Sequence, residues 1–200
     1  MEIKHNHKLI LEIRKRLKNF RKPKSNKGLF NELVFCILVA NTNLEKTYFI
    51  WEKLKNKFYK LSLKELRKKL KKSGYRFYNK RAEYIYEAKC KIKELNKILK
   101  LKDEKYIRDW LAKNIKGLGY KEASHFLRNL GYKNFAILDR HILRFLYKNK
   151  IIKEIPKTLT RKKYIEIEEK LRKIANKNKL NLAELDFLIF YIQTSKFPIK

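Results

Sequence analysis

Apolar residues recur at helical spacing along most of this chain. Near the N-terminus Leu9, Ile10, Ile13 and Leu17 form the apolar stripe of a basic helix within residues 1–27, the i, i+3, i+4 pattern of an amphipathic helix. A basic stretch broken by Pro23 and Gly28 predicts a linker. Residues 29–40 are apolar almost all round, which predicts a buried central helix. Asn41-Thr42-Asn43 ends it and caps the next, which carries Tyr48, Trp51, Leu54 and Phe58 on one face. Ser62 caps a short helix running to Leu70. Residues 73–81 read as a loop, and residues 82–99 as a long helix facing inward through Ile85, Ala88, Ile92, Leu95 and Leu99. Asp103 caps a helix containing Tyr106, Ile107, Trp110 and Leu111; Ala123, Phe126, Leu127 and Leu130 mark another, stopped by Gly131. Residues 139–147 form a helix, Thr160 caps one with Tyr164, Ile167, Leu171 and Ile174, and Leu182, Leu185, Leu188, Ile189 and Ile192 mark the last. No useful run alternates at strand period and no repeat is visible, so the predicted fold is all-α.

The junction before Ala123 carries the chemistry. Gly117 and Gly119 lie one residue apart in a chain with only 5 glycines, which predicts a tight turn between two helices, a helix–hairpin–helix. Such a hairpin turns backbone N–H groups outward at a helix N-terminus, an anion site. Lys121 falls in the first turn of the second helix, where the positive end of the helix dipole disfavours another positive charge. The neutral amine, the nucleophilic form, is then easier to reach and can form a Schiff base with a sugar aldehyde. Asp139 follows eighteen residues later, past Gly131, where the chain can fold back. A carboxylate there can accept a proton and stabilise positive charge building on a sugar ring. Read alone, Lys121 is one of many surface lysines and Asp139 an N-cap; the paired glycines and the spacing favour catalysis, and a cap can also be catalytic.

Composition narrows the partner. The 200 residues carry a formal charge of +33 and are 44% hydrophobic, enough for a core in one large domain or two small lobes. That field attracts polyanions, although lysine-rich chains also suit hot environments. The anion for the hairpin is therefore a nucleic-acid phosphate. The cysteines Cys36 and Cys90 lack metal-type neighbours, which excludes a zinc site or a four-cysteine cluster; both read as buried thiols of a cytosolic protein. No signal peptide is visible, and the longest apolar run, 33–40, is too short for a bilayer. The chain reads as soluble, intracellular and, lacking a coiled-coil seam, monomeric.

Ile115, Gly117, Leu118, Gly119, Lys121 and Asp139 resemble the helix–hairpin–helix DNA glycosylase superfamily, whose hairpin has the form Leu-x-Gly-φ-Gly-x-Lys (φ apolar) with an aspartate about eighteen residues on. The stretches 120–129, 139–143 and 74–82, together with the chain length, look like the archaeal type-2 8-oxoguanine DNA glycosylases. The resemblance implies a bifunctional enzyme that excises 8-oxoguanine and cuts the strand as an AP lyase, with Lys121 and Asp139 catalytic. Its partner is double-stranded DNA containing an oxidised base, and no metal or organic cofactor is needed. It implies a two-lobed glycosylase fold, residues 28–131 in one lobe and residues 1–27 with 132–200 in the other, with DNA in the cleft between and Lys121 and Asp139 at its mouth. Gly117 and Gly119 meet the DNA backbone.

Residues 73–81 interleave aromatic and basic side chains. An enzyme acting on a base takes it out of the stack, and a planar side chain fills the hole. By resemblance the wedge comes from this region. Phe77 is the candidate, with Arg76 and Lys80 on the backbone; the competing reading has Phe77 and Tyr78 covering the core. His125 and His141 read as structural histidines, with His141 also a candidate phosphate contact. The archaeal type-2 family ends in a lysine that helps tell 8-oxoguanine from guanine, which differ at N7, a donor in the lesion and an acceptor in the normal base. Lys200 matches that position, and Phe197-Pro198-Ile199 reads as its hydrophobic anchor. Two alternatives remain: a glycosylase for another damaged base such as an oxidised pyrimidine, and a non-catalytic helix–hairpin–helix module.

Overall fold

A computed structural model describes residues 1–3, 6–23, 25–55 and 57–198. Among these the chain forms ten α-helices, one 3₁₀ turn and no strand, an all-α fold. It divides into two compact units, Lys22–Phe126 and Met1–Arg21 with Leu127–Lys200.

The Lys22–Phe126 unit is built on α2 (Asn26–Val39), whose residues Leu29, Phe30 and Leu33 to Leu38 are buried. A helix apolar on every side must be covered on every side. Helices α3 (Leu44–Leu54) and α5 (Tyr78–Ile98) pack on α2, and α4 (Leu63–Lys72) packs on α5. The Trp51 indole N–H donates to the Asn31 carbonyl at 2.8 Å. Its ring meets Phe35 edge-on at 5.4 Å. Then come α6 (Glu104–Asn114) and α7 (Tyr120–Asn129), and the division between the units falls within α7.

In the other unit α10 (Leu182–Thr194) is the buried centre, with α1 (His7–Leu17), α8 (Arg140–Lys148) and α9 (Arg161–Lys177) against it. Arg14 Nε donates to Glu184 Oε1 at 2.8 Å, tying α1 to α10. Gly131 ends α7 at φ +95°, with Gly131 N–H on the Arg128 carbonyl at 2.9 Å and Tyr132 N–H on the Leu127 carbonyl at 3.1 Å. This is a Schellman end, which favours glycine. A Cβ there would also lie 2.9 Å from the Phe20 carbonyl oxygen.

Several boundaries differ from those predicted. Helix α2 starts at Asn26, inside the expected linker, because the Ser25 hydroxyl accepts from Gly28 N–H at 3.1 Å and caps it. Helix α3 stops at Leu54, and Phe58 reaches the core from the 3₁₀ turn Phe58–Lys60 instead. Helix α5 begins at Tyr78, so Lys80 and Arg81 are helical rather than in a loop. Cys36 is buried as expected; Cys90 is exposed on α5. Ile192 follows the apolar spacing of α10 yet is 44% exposed. No helix among the described residues is long and apolar enough to cross a membrane.

Candidate functional site

The hairpin joins α6 to α7. Asp103 caps α6 by accepting from Tyr106 N–H at 3.0 Å. After α6, Leu118 N–H donates to the Ile115 carbonyl at 3.1 Å, and Ile115 and Leu118 are buried, which pins the turn from below. Gly117 sits at φ +88°, and a Cβ on it would fall 2.6 Å from Tyr84 Cδ2 and 2.9 Å from Arg81 Nη1. Two independent constraints, backbone sign and space, therefore require glycine. Gly117→Ala is expected to lose roughly 1–3 kcal/mol of stability from the backbone alone, and more from the ring contact. Urea denaturation checks this; an unchanged midpoint would show that the hairpin yields easily.

Lys121 is the second residue of α7, and its side chain is 34% exposed. Its Nζ lies 3.7 Å from Glu122 Oε1. Glu122 is the residue that sequence patterning left out. Its Oε2 accepts from Gly119 N–H at 3.2 Å, so a carboxylate of the chain itself occupies a donor expected to face phosphate. The signal was present: an acceptor three residues into a helix reaches back to the N–H at its start, half of a capping box. Arg108 was also missed. It is buried, with its guanidinium 4.9 Å from the Tyr120 ring centre and Nη1 donating to Ser124 Oγ at 3.4 Å. His125 is buried, its ring edge-on to Phe35 at 5.6 Å, the setting of a structural histidine.

The candidate wedge region lies in the same unit. Gly74 turns the chain at φ +68°. Tyr75 is buried, and its hydroxyl donates to the Leu38 carbonyl at 2.5 Å. Burial pushes that phenol up to about 12 against the pull of Arg81 and Thr42. Phe77 is half-buried at the N-cap position of α5, with the exposed Arg76 stacked on its ring at 4.9 Å. Lys80 is exposed, 3.8 Å from Glu83 Oε2. Phe49 on α3, 69% exposed, is an aromatic that the helical spacing did not single out.

Asp139 belongs to the other unit. Its Oδ1 accepts from Ile142 N–H at 2.9 Å, capping α8. The preceding segment is fastened to α9: Ala136 N–H donates to Glu168 Oε2 at 2.9 Å, and the Tyr164 hydroxyl donates to the Ala136 carbonyl at 2.7 Å. The position of Asp139 is thus held from both sides. The buried Asp186 carboxyl is pushed up to about 7 by burial, against Arg128, whose Nη1 is 3.3 Å away, and with help from the charge of Asp139. His141 is half-buried with its ring edge-on to Phe190 at 5.2 Å. Lys200 and Ile199 lie outside the described residues. The tail before them is anchored: the Phe197 ring lies 4.1 Å from the Arg16 guanidinium and 4.8 Å from the Tyr191 ring.

The described residues thus place Gly117, Gly119, Lys121, Arg76, Phe77 and Lys80 in one unit and Asp139 and His141 in the other. A family model described as 8-oxoguanine DNA glycosylase matches residues 13–180, a span that contains the hairpin, Lys121 and Asp139. A Methanocaldococcus jannaschii protein named 8-oxoguanine DNA glycosylase/AP lyase is 51% identical over 187 residues, covering 92% of this chain and 90% of the relative. A Korarchaeum cryptofilum protein of the same name is 47% identical over 185 residues, covering 92% of this chain and 88% of the relative. The crystal structure of the M. jannaschii 8-oxoguanine glycosylase/lyase in complex with a 15mer DNA containing 8-oxoguanine matches with a TM-score of 0.90 at 48% identity, over 96% of this chain and 98% of the other. On the match of the family model and these identities, the chain belongs to the 8-oxoguanine DNA glycosylase family.

Proposed function

We propose that this chain excises 8-oxoguanine from duplex DNA and cuts the strand 3′ to the resulting abasic site, acting inside the cell on the chromosome as a monomer. The observation that carries this reading is the hairpin that runs straight from Gly117 and Gly119 into α7 with a partly exposed Lys121 amine in its first turn. Relatives that share about half of the sequence are named for both activities.

The backbone of the damaged strand docks at Gly117 and Gly119, and Glu122 gives way at the Gly119 N–H. Arg76, Lys80 and His141 add contacts to phosphate, and Phe77 fills the space left by the flipped nucleotide. Asp139 takes the proton from Lys121 and offsets positive charge on the sugar. The Lys121 Nζ lone pair forms a bond to C1′ as the C1′–N9 bond breaks; the base leaves with the electrons of the broken bond and takes the proton that Asp139 had received, which restores the carboxylate. Ring opening gives the imine, loss of a C2′ proton expels the 3′ phosphate, and water releases the lysine. Lys200 reads the N7 edge of the lesion.

The test is a panel of duplexes containing 8-oxoguanine, an oxidised pyrimidine, or undamaged guanine, with released bases identified by mass. Release of 8-oxoguanine well ahead of the others is expected. Release of the pyrimidine lesion alone would assign the scaffold another substrate, and binding without release would leave a non-catalytic module. Removing Lys200 is expected to lower the choice of 8-oxoguanine over guanine more than cutting at preformed abasic sites. Equal loss of both would contradict its role in base recognition.

A further inference from the structure

Arg81, in the first turn of α5, meets two separate parts of the Lys22–Phe126 unit and bears electrostatically on a third. Its Nη2 donates to the Ala40 carbonyl at 3.0 Å, at the C-terminus of α2. A cation and donor there satisfies an orphan carbonyl at the negative end of a helix. Its positive charge also draws on the Tyr75 phenol, two residues from the candidate wedge. Its Nη1 faces Gly117, so closely that a Cβ on Gly117 would stand 2.9 Å away. One turn along α5 the Tyr84 ring closes on the same side of Gly117, 2.6 Å from where a Cβ would stand, and a turn further Glu87 Oε2 pairs with Lys116 Nζ at 2.9 Å. The hairpin thus rests on a seat made by α5, and Arg81 joins that seat to the end of α2.

We propose that Arg81 is a positioning residue for the reaction: its planar guanidinium fixes the height of Gly117 over α5 and so the register in which Lys121, four residues on, meets C1′. The inference rests on the proposed function. A planar fork can hold two partners in fixed directions at once, which a lysine ammonium on a flexible stem cannot. Small misplacement of a nucleophile is enough to cost about a hundredfold in rate.

The test compares Arg81→Ala and Arg81→Lys with the parent protein, well below their melting transitions. At saturating enzyme, single-turnover release of 8-oxoguanine and borohydride trapping are expected to fall by roughly tenfold to a hundredfold in both variants. Free guanidinium ion is expected to restore part of the Arg81→Ala loss. Amide exchange at Gly117 and Gly119 is expected to quicken in both, a readout that stands even if 8-oxoguanine is not the substrate. An Arg81→Lys protein with the parental rate and parental exchange would overturn the inference. So would a loss confined to binding with a salt slope smaller by about one, because that is the mark of a direct phosphate contact. A parent protein that releases no 8-oxoguanine would instead refute the proposed function, leaving the exchange result to decide the role of Arg81.

Discussion

Lys121→Gln is expected to abolish strand cutting and borohydride trapping, with single-turnover base release slowed by at least about a thousandfold. Glutamine keeps the length and polarity of the side chain and is a good helix former, so α7 should be unaffected. What it loses is an amine lone pair. The side chain is 34% exposed and its ion pair to Glu122 is 3.7 Å long, so removing the charge strands no tightly held partner there. Thermal melting should therefore move little, and binding of undamaged duplex should weaken only as expected for one cation. A variant that still yields a reduced covalent adduct at the parental level would mean that a different amine reacts.

Asp139→Asn comes next in size. Asp139 has two separable roles, and this substitution divides them. Asparagine is among the best N-caps, so the bond from Ile142 N–H at 2.9 Å survives and α8 keeps its start. The carboxylate charge does not survive. Loss of a positioned base and of charge stabilisation is expected to slow base release by about 10²- to 10⁴-fold, with a melting temperature close to the parent. Asp139→Ala should lose the same activity and, in addition, about 1 kcal/mol of stability through the lost cap. Full activity in Asp139→Asn with a destabilised Asp139→Ala would reduce this residue to its cap.

The parts of the molecule legible from sequence are those set by local rules. Paired glycines flanked by apolar periodicity mark the hairpin, and an apolar run marks α2 as central. Side-chain caps at Ser62, Asp103, Asp139 and Thr160 each accept from the backbone N–H expected of them. What stayed hidden depends on partners distant in sequence. Arg108 reads as a surface arginine until α7 brings Ser124 over it. Arg81 reads as one cation among many until its fork meets Ala40 and Gly117, 41 residues before it and a full helix pair after it. Phe58 continues the spacing of α3 and still leaves the helix, because the last turn closes at Leu54 and a 3₁₀ turn delivers the ring to the core by another route. Glu122 was legible in principle; three-residue spacing from Gly119 is a local signal, masked by the expectation that an external anion takes that N–H.

The proposed reaction turns on a covalent bond between one amine and deoxyribose. Its most direct measurement is peptide mapping by mass spectrometry of the parent protein after borohydride reduction on 8-oxoguanine duplex. A single modified peptide is expected, with the sugar remnant on Lys121 Nζ. A remnant on any other lysine, or on the N-terminal amine, would contradict it.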